Sequence, residues 1–291
     1  TDVKPDDADA TKATGNINIV PIKGREYDYI GWNNIDPVKY AKGKKKVPNP
    51  LFGNANIRKA LTYALNRDEV INNYLNNSGE KAVGPIAPIF KSIFDSTLIP
   101  YEYNPEKAKE IFTSEGWHPS SSNGILEKNG KKFSFKLFMA TGNPRREFAM
   151  TVFKNNLKAV GVDVQIEKME MSSFLNKLFT KQYNAWIGGW SVFIPIDLMP
   201  FWYSDLNQAT LNISAYDNSE VDQLLTKLDT KIPKEEKVQI YKKVQSILHE
   251  DEPVTFLYWI DKMVAYNSRI KNISITPLGA ISKCWEWKII K

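Results

Sequence analysis

Apolar positions along the chain change period several times, and each change marks an element. Asn18-Ile19-Val20-Pro21-Ile22 reads as a short strand. Tyr27-Asp28-Tyr29-Ile30-Gly31-Trp32-Asn33, whose large residues alternate with smaller ones, reads as another. From Asn56 the period becomes helical: Ile57, Ala60, Leu61, Ala64 and Leu65 recur at helical spacing, with Asn54 or Asn56 placed to cap the first turn. A second helical piece follows over 68–75. Residues 79–103, punctuated by Gly79, Gly84, Pro85, Pro88 and Pro100, read as a long irregular loop, a kind usually functional or draped over a surface.

Pro105 opens a helix that Gly116 closes. Asn129-Gly130 signals a hairpin turn between Ile125-Leu126 and a strand at Phe133–Phe138. Pro144 then starts a helix with the apolar stripe Ala149, Val152, Phe153, Leu157 and Val160, ended by Gly161. The strand after it alternates, with Val162, Val164 and Ile166 on one face and Asp163, Gln165 and Glu167 on the other. Strand, helix and strand in this order make a βαβ unit with parallel strands, so the fold class is α/β. A short helix at 172–181 leads to a third strand, whose end Trp186 and Trp190 flank. Two helices follow, striped by Val221, Leu224, Leu225 and Leu228 and by Val238, Tyr241, Val244 and Leu248. Val254–Tyr258 and Met263–Tyr266 read as two strands joined at Asp261-Lys262.

The densest apolar stretch, Trp186 to Tyr203, fits no single element. Gly188-Gly189, Pro195 and Pro200 interrupt it, so one face cannot bury all its rings and some should line a cavity. Open α/β sheets bind ligands beyond the carboxyl ends of their strands, where Gly188 to Phe193 fall on this reading. The alternative is that the rings simply pack in the core, as most aromatic clusters do.

With 291 residues, 42% hydrophobic and 25% charged, the chain can bury a sizeable core as one large or two smaller domains. A formal charge of +6 would suit an anionic partner if it were clustered. The one tight run, Lys42 with Lys44, Lys45 and Lys46, lacks any adjacent stacking motif, so it reads as a solvated loop and no nucleic-acid partner is expected. No apolar run approaches the roughly 20 residues of a membrane span, and the first residues, Thr1-Asp2-Val3-Lys4, do not form a signal peptide. The lone Cys284 excludes an internal disulfide framework and a multi-cysteine metal site.

Catalytic chemistry is scarce. His118 and His249 stand in unrelated contexts and read as surface histidines. None of the familiar nucleophile, phosphate-loop, dinucleotide or zinc motifs occurs. His249-Glu250-Asp251-Glu252 offers ligand atoms but ends a helix, where a solvated terminus explains it. No catalytic residue, cofactor or metal site is therefore expected.

Three segments carry a resemblance. Phe52-Gly53-Asn54-Ala55-Asn56-Ile57-Arg58-Lys59-Ala60-Leu61-Thr62-Tyr63-Ala64-Leu65-Asn66-Arg67, then Tyr103-Asn104-Pro105-Glu106-Lys107-Ala108, then Gly188-Gly189-Trp190-Ser191, resemble in this order the family 5 extracellular solute-binding proteins. These are the oligopeptide, dipeptide and nickel receptors of ABC importers. The match extends over essentially the whole chain, which resembles the C-terminal half of longer family members.

The resemblance implies a periplasmic-binding-protein-like type II fold that closes on its ligand as a two-lobed clamshell. Residues 1–49 would be part of the first lobe, 50–252 the second, ligand-binding lobe, and 253–291 return strands and a tail. It implies the substrate-binding component of an ABC importer, not an enzyme, which captures a peptide or similar small solute for a membrane permease. It also implies a monomer, periplasmic or anchored on the outer face of the cytoplasmic membrane.

Trp190 falls at the family's pocket tryptophan, among the ligand-contacting residues Gly188, Gly189, Ser191, Val192 and Phe193. Typical peptide binders place an Asp three residues after that Trp to hold the peptide amino terminus; here Phe193 stands there, with Asp197 the candidate substitute. Met171 takes a further position that is usually aromatic. The expected ligand therefore presents an apolar, capped or sugar-like surface. A hydrolase with an aromatic-lined cleft is the alternative, and full burial of Trp186, Trp190 and Trp202 would instead favour a scaffold without a ligand.

Overall fold

The computed structural model describes residues 2–3, 8–276, 281 and 283–290; parts of the expected flanking segments, 4–7 and 277–280, lie outside these. Its first long element is β1 (Ile17–Trp32), a single strand where two were expected. Next come α1 (Ala55–Tyr63), α2 (Arg67–Asn73) and α3 (Pro105–Ser114). Asn54, Asn66 and Asn104 cap them, each side chain accepting a first-turn backbone N–H that would otherwise lack a partner.

The expected βαβ unit is β2 (Ser134–Ala140), α4 (Pro144–Ala159) and β3 (Asp163–Met169), with its strands paired in parallel. α5 (Met171–Phe179) returns the chain to β4 (Ala185–Ser191), which is parallel to β2 and antiparallel to β1. After the one-turn helix α6 (Met199–Trp202) come α7 (Ser219–Leu228), α8 (Lys234–Asp251) and β5 (Val254–Asn267). One mixed sheet results, in the order β5, β1, β4, β2, β3, and β5 also pairs with Asp2–Val3 and Gly79–Lys81.

β5, like β1, is one strand where two were expected. The charged residues that read as turns, Lys23 to Glu26 and Asp261-Lys262, face each other across a shift of register. A bulge there lets the ladder run on through residues that a turn would also suit. A Cβ on Gly24 would lie 1.9 Å from the Ile260 carbonyl oxygen, so the approach requires glycine. β1 meets β4 only from Glu26 to Trp32, and its first half pairs with β5 alone.

Each face of the sheet carries its own core. α1 to α4 pack Ile57, Leu61, Leu65, Phe112, Phe153 and Leu157 on one. α5 and α7 to α8 pack Phe174, Leu178, Leu225, Val244 and Leu248 on the other. Each such side chain contributes about 1.5–3 kcal/mol by leaving water. β4 shows how the strand serves both, since Ile187 joins the first core and Trp186 the second.

Residues 79–103 are irregular beyond Lys81, as expected, and buried Arg67 ties them down by donating to the carbonyls of Ala82, Tyr101 and Phe256. The Asn129-Gly130 turn, both residues at positive φ, joins Leu126–Lys128 to Lys131–Lys132. That hairpin forms a small separate sheet with His118–Pro119 and does not run into β2.

Candidate functional site

β2, β3 and β4 end at one edge of the sheet, where α4 and α5 begin and residues 192–217 leave β4. Two adjoining hollows lie there on the second-core side. Tyr27, Trp190, Phe201 and Trp202 line both; Tyr29, Trp186, Leu211, Ile213 and Ser214 complete one, and Val192, Phe193, Ile196 and Asp197 belong to the other. Each has a cavity volume of about 20 Å³, room for one water. The chain thus builds a wall, not an enclosure.

The wall is a run of rings. Trp190 meets Phe201 edge-on, with centroids 5.0 Å apart at 79°, and Phe201 meets Phe193 at 5.5 Å. Such tilted contacts suit ring quadrupoles. Trp186 and Trp202 are buried in the core, whereas Trp190 is half-buried and Phe193 is 46% exposed. The first pair packs in the core and reaches the hollows from it, the second pair lies at the surface beside them, and the condition for a ligand-free scaffold, burial of all three tryptophans, is not met.

The other candidates divide: Ser191 joins Val192 and Asp197 in lining the second hollow, whereas Gly188 and Gly189 line neither. A Cβ on Gly188 would press on the Tyr29 ring at 3.2 Å, and one on Gly189 would fall 2.5 Å from Asp28 Oδ1 and 2.8 Å from the Tyr27 carbonyl. The glycines let side chains cross β4. Ser191 is exposed, while Val192 is buried, its N–H donating to the Arg25 carbonyl at 2.8 Å and its own carbonyl accepting from the Arg25 guanidinium. Asp197 is exposed and accepts the Met199 N–H at 3.0 Å. Met171 begins α5, 48% exposed and outside both hollows. α5 starts from the end of β3, and β2 separates that strand from β4.

Behind Gly189, on the first-core side, lies a group that sequence reasoning missed. Asp28 is fully buried and accepts from Arg145 Nε at 2.7 Å and from Arg146 Nη2 at 2.8 Å. Burial opposes the Arg145 charge, but the Asp28 carboxylate outweighs it and lifts the guanidinium above its ordinary value. A signal was present: two arginines in the first turn of a helix oppose its dipole and call for an acidic partner. Tyr27 and Phe201, also missed, reach the wall through the β1–β4 pairing and the Pro200 turn.

Two expectations about polar groups need correction. Glu252 is buried, not solvated: α8 ends against α1, and Thr62 donates to its carboxyl at 2.8 Å. Burial pushes that carboxyl up to about 7 against the pull of Thr62, Arg67 and Arg58. His249 is half-buried and stacks on Tyr101, with centroids 4.5 Å apart, and burial lowers its pKa. His118 is exposed, as expected. Among the described residues no group of three or more His, Cys, Asp or Glu could hold a metal ion, and no helix is long and apolar enough to cross a membrane.

A mixed sheet of this topology is shared with type II periplasmic-binding proteins. The profile of bacterial extracellular solute-binding proteins, family 5 Middle, matches residues 1–212, and the chain belongs to that family. The oligopeptide-binding protein AppA of Bacillus subtilis is 29% identical over 95% of this chain and 49% of its own length. Its structure in complex with a nonapeptide superposes with a TM-score of 0.83 at 28% identity, covering 100% of this chain and 56% of that one. The probable D,D-dipeptide-binding periplasmic protein DdpA of Escherichia coli is 24% identical over 94% of this chain and 48% of its own. The chain spans about half the length of the curated relatives it matches.

Proposed function

We propose that the chain supplies one lobe of the substrate-binding component of an ABC importer and holds one side of a peptide or peptide-like solute. The observation that carries this reading is the partly exposed run Trp190, Phe201 and Phe193 at the carboxyl edge of a family 5 fold. Two relatives support a peptide ligand: AppA was solved with a nonapeptide and DdpA is named for D,D-dipeptides. Hollows of about 20 Å³ leave the opposite wall to a first lobe. On this reading residues 50–252 form the second lobe, and the halves of β1 and β5 beyond β4 lead to the first. The assembled receptor is a monomer on the outer side of the cytoplasmic membrane that passes its solute to a permease.

The wall favours a ligand without a free amine near Phe193. An unpaired ammonium in a dry pocket costs several kcal/mol, and a ring returns only about 0.5–2 kcal/mol. Asp197 already spends one oxygen on the Met199 N–H. A hydrolase has less support, since the stacked His249 and the exposed His118 line neither hollow.

Equilibrium dialysis of this chain with a hydrophobic tetrapeptide amide and its N-acetylated form tests the proposal. Weak binding of both, with the peptides recovered intact, is expected. Loss of binding on acetylation would show an amine being read through Asp197, and cleaved peptide would favour the hydrolase.

A further inference from the structure

The segment 203–217 brings Leu211, Ile213 and Ser214 to the first hollow, and two lysines hold it. Lys46 Nζ donates to the Ser204 carbonyl at 2.7 Å and pairs with Asp217 at 2.9 Å. Lys181 occupies a stranger place. It follows the C-cap of α5 with φ of 57°, a left-handed position that favours glycine. Its N–H donates to the Leu178 carbonyl and that of Gln182 to the Lys177 carbonyl, so the turn is fixed.

The Lys181 side chain is buried, with Nζ 2.6 Å from the Asn212 carbonyl oxygen and 3.5 Å from that of Ile213. Among the described residues no carboxylate pairs with it, and the charged groups acting on it, Lys44 and Lys46, both oppose its charge. Asp217 is spent on Lys46, and Asp205 on Asn207 and Gln208. Asn212 is the hub of the segment: fully buried, its Nδ2 donates to the Tyr203 and Tyr216 carbonyls and its Oδ1 accepts the Tyr216 N–H. Burial, and then Lys46 and Lys44, bring Lys181 down to about 8.

The geometry points to Lys181 as a positioning residue for the binding wall: its ammonium grips the carbonyls of Asn212 and Ile213 and seats the 211–214 segment beside Trp190 and Trp202. The inference rests on the hollow being the ligand site proposed above. A cation on carbonyls makes the stronger, charge-assisted kind of hydrogen bond, and deprotonation weakens it. Tyr27, Tyr29 and Tyr216, on the same core, have pKa values raised by burial and stay neutral through this range.

The test uses tryptophan emission of the ligand-free chain from pH 6.5 to 9.5, with circular dichroism to verify the fold and with Glu252→Gln carried in every sample, the one with Lys181 unchanged included, because the Glu252 carboxyl also titrates in this range. The sample with Lys181 unchanged should show a transition near pH 8, Lys181→Met should show the alkaline spectrum throughout, and Lys181→Arg should hold the neutral one. A flat profile with Lys181 unchanged overturns the proposal, as does a transition kept by Lys181→Met. In parallel, dialysis with N-acetyl-Ala-Leu-Phe-Ala-amide should show affinity with Lys181 unchanged falling about fivefold across the transition, as for one lost hydrogen bond. If emission depends on Lys181 but peptide affinity does not, the positioning role stands and the assignment of the hollow as the ligand site fails.

Discussion

Gly189 and Arg146 compete for one volume: a Cβ on the glycine would lie 2.3 Å from Nη2 of the arginine. The same Cβ would crowd Asp28 Oδ1 and the Tyr27 backbone carbonyl, so the buried ion pair cannot simply step aside. The strand carrying the half-buried Trp190 is thereby locked to α4.

Gly189→Ala should destabilise the chain by about 2–4 kcal/mol, combining overpacking with a disturbed buried charge. Gly188→Ala first meets the Tyr29 side chain, at 3.2 Å, and should cost under about 1.5 kcal/mol. Urea denaturation of both variants checks this, and equal losses would contradict it.

Asp28→Ala removes the shared partner of both arginines and should cost about 3–5 kcal/mol, because it leaves the Arg146 guanidinium without its carboxylate and Arg145 with Glu26 alone. Arg145 is only part-buried and also pairs with exposed Glu26 at 3.1 Å, so Glu26→Ala should cost under about 1 kcal/mol. Thermal unfolding at fixed pH distinguishes the two. A mild Asp28→Ala variant would mean that the arginines find water instead.

Glu252 gives a pH signature. Its folded value, about 7, lies above the ordinary glutamate value of 4.5. The stability it contributes is fully present below about pH 4.5 and is lost as pH rises through 7, by about 3 kcal/mol at one pKa unit per 1.36 kcal/mol. Glu252→Gln stays neutral and keeps the hydrogen-bonding outline, so its stability should change less between pH 5 and 8 than that of the wild type. Parallel pH slopes in urea denaturation would contradict the assignment.

The βαβ unit and the helices were legible because their apolar periods are clean and asparagine, proline and glycine mark their ends. β1 and β5 were not read as single strands, since Lys23 to Glu26 and Asp261-Lys262 carry the composition of turns and only cross-strand pairing shows that a bulge accommodates them. Glu252 looked solvated because what buries it, Thr62, lies 190 residues away in sequence. Trp190 and Phe193 were visible as ring density broken by glycine and proline. Tyr27 and Phe201 were not, because sequence pattern does not say which strand will lie beside β4. Met171 was placed by position in a motif; it begins α5 at the end of β3, which β2 separates from β4, and it lies outside both hollows.

The most direct test of the wall as a ligand surface is ¹⁹F NMR of the chain labelled with 5-fluorotryptophan, titrated with N-acetyl-Ala-Leu-Phe-Ala-amide. Trp190→Phe and Trp32→Phe variants assign the two decisive resonances. The Trp190 signal should move saturably, while that of Trp32, fully buried in the other core, should stay fixed. Saturable peptide binding that leaves the Trp190 resonance unmoved would contradict the proposal.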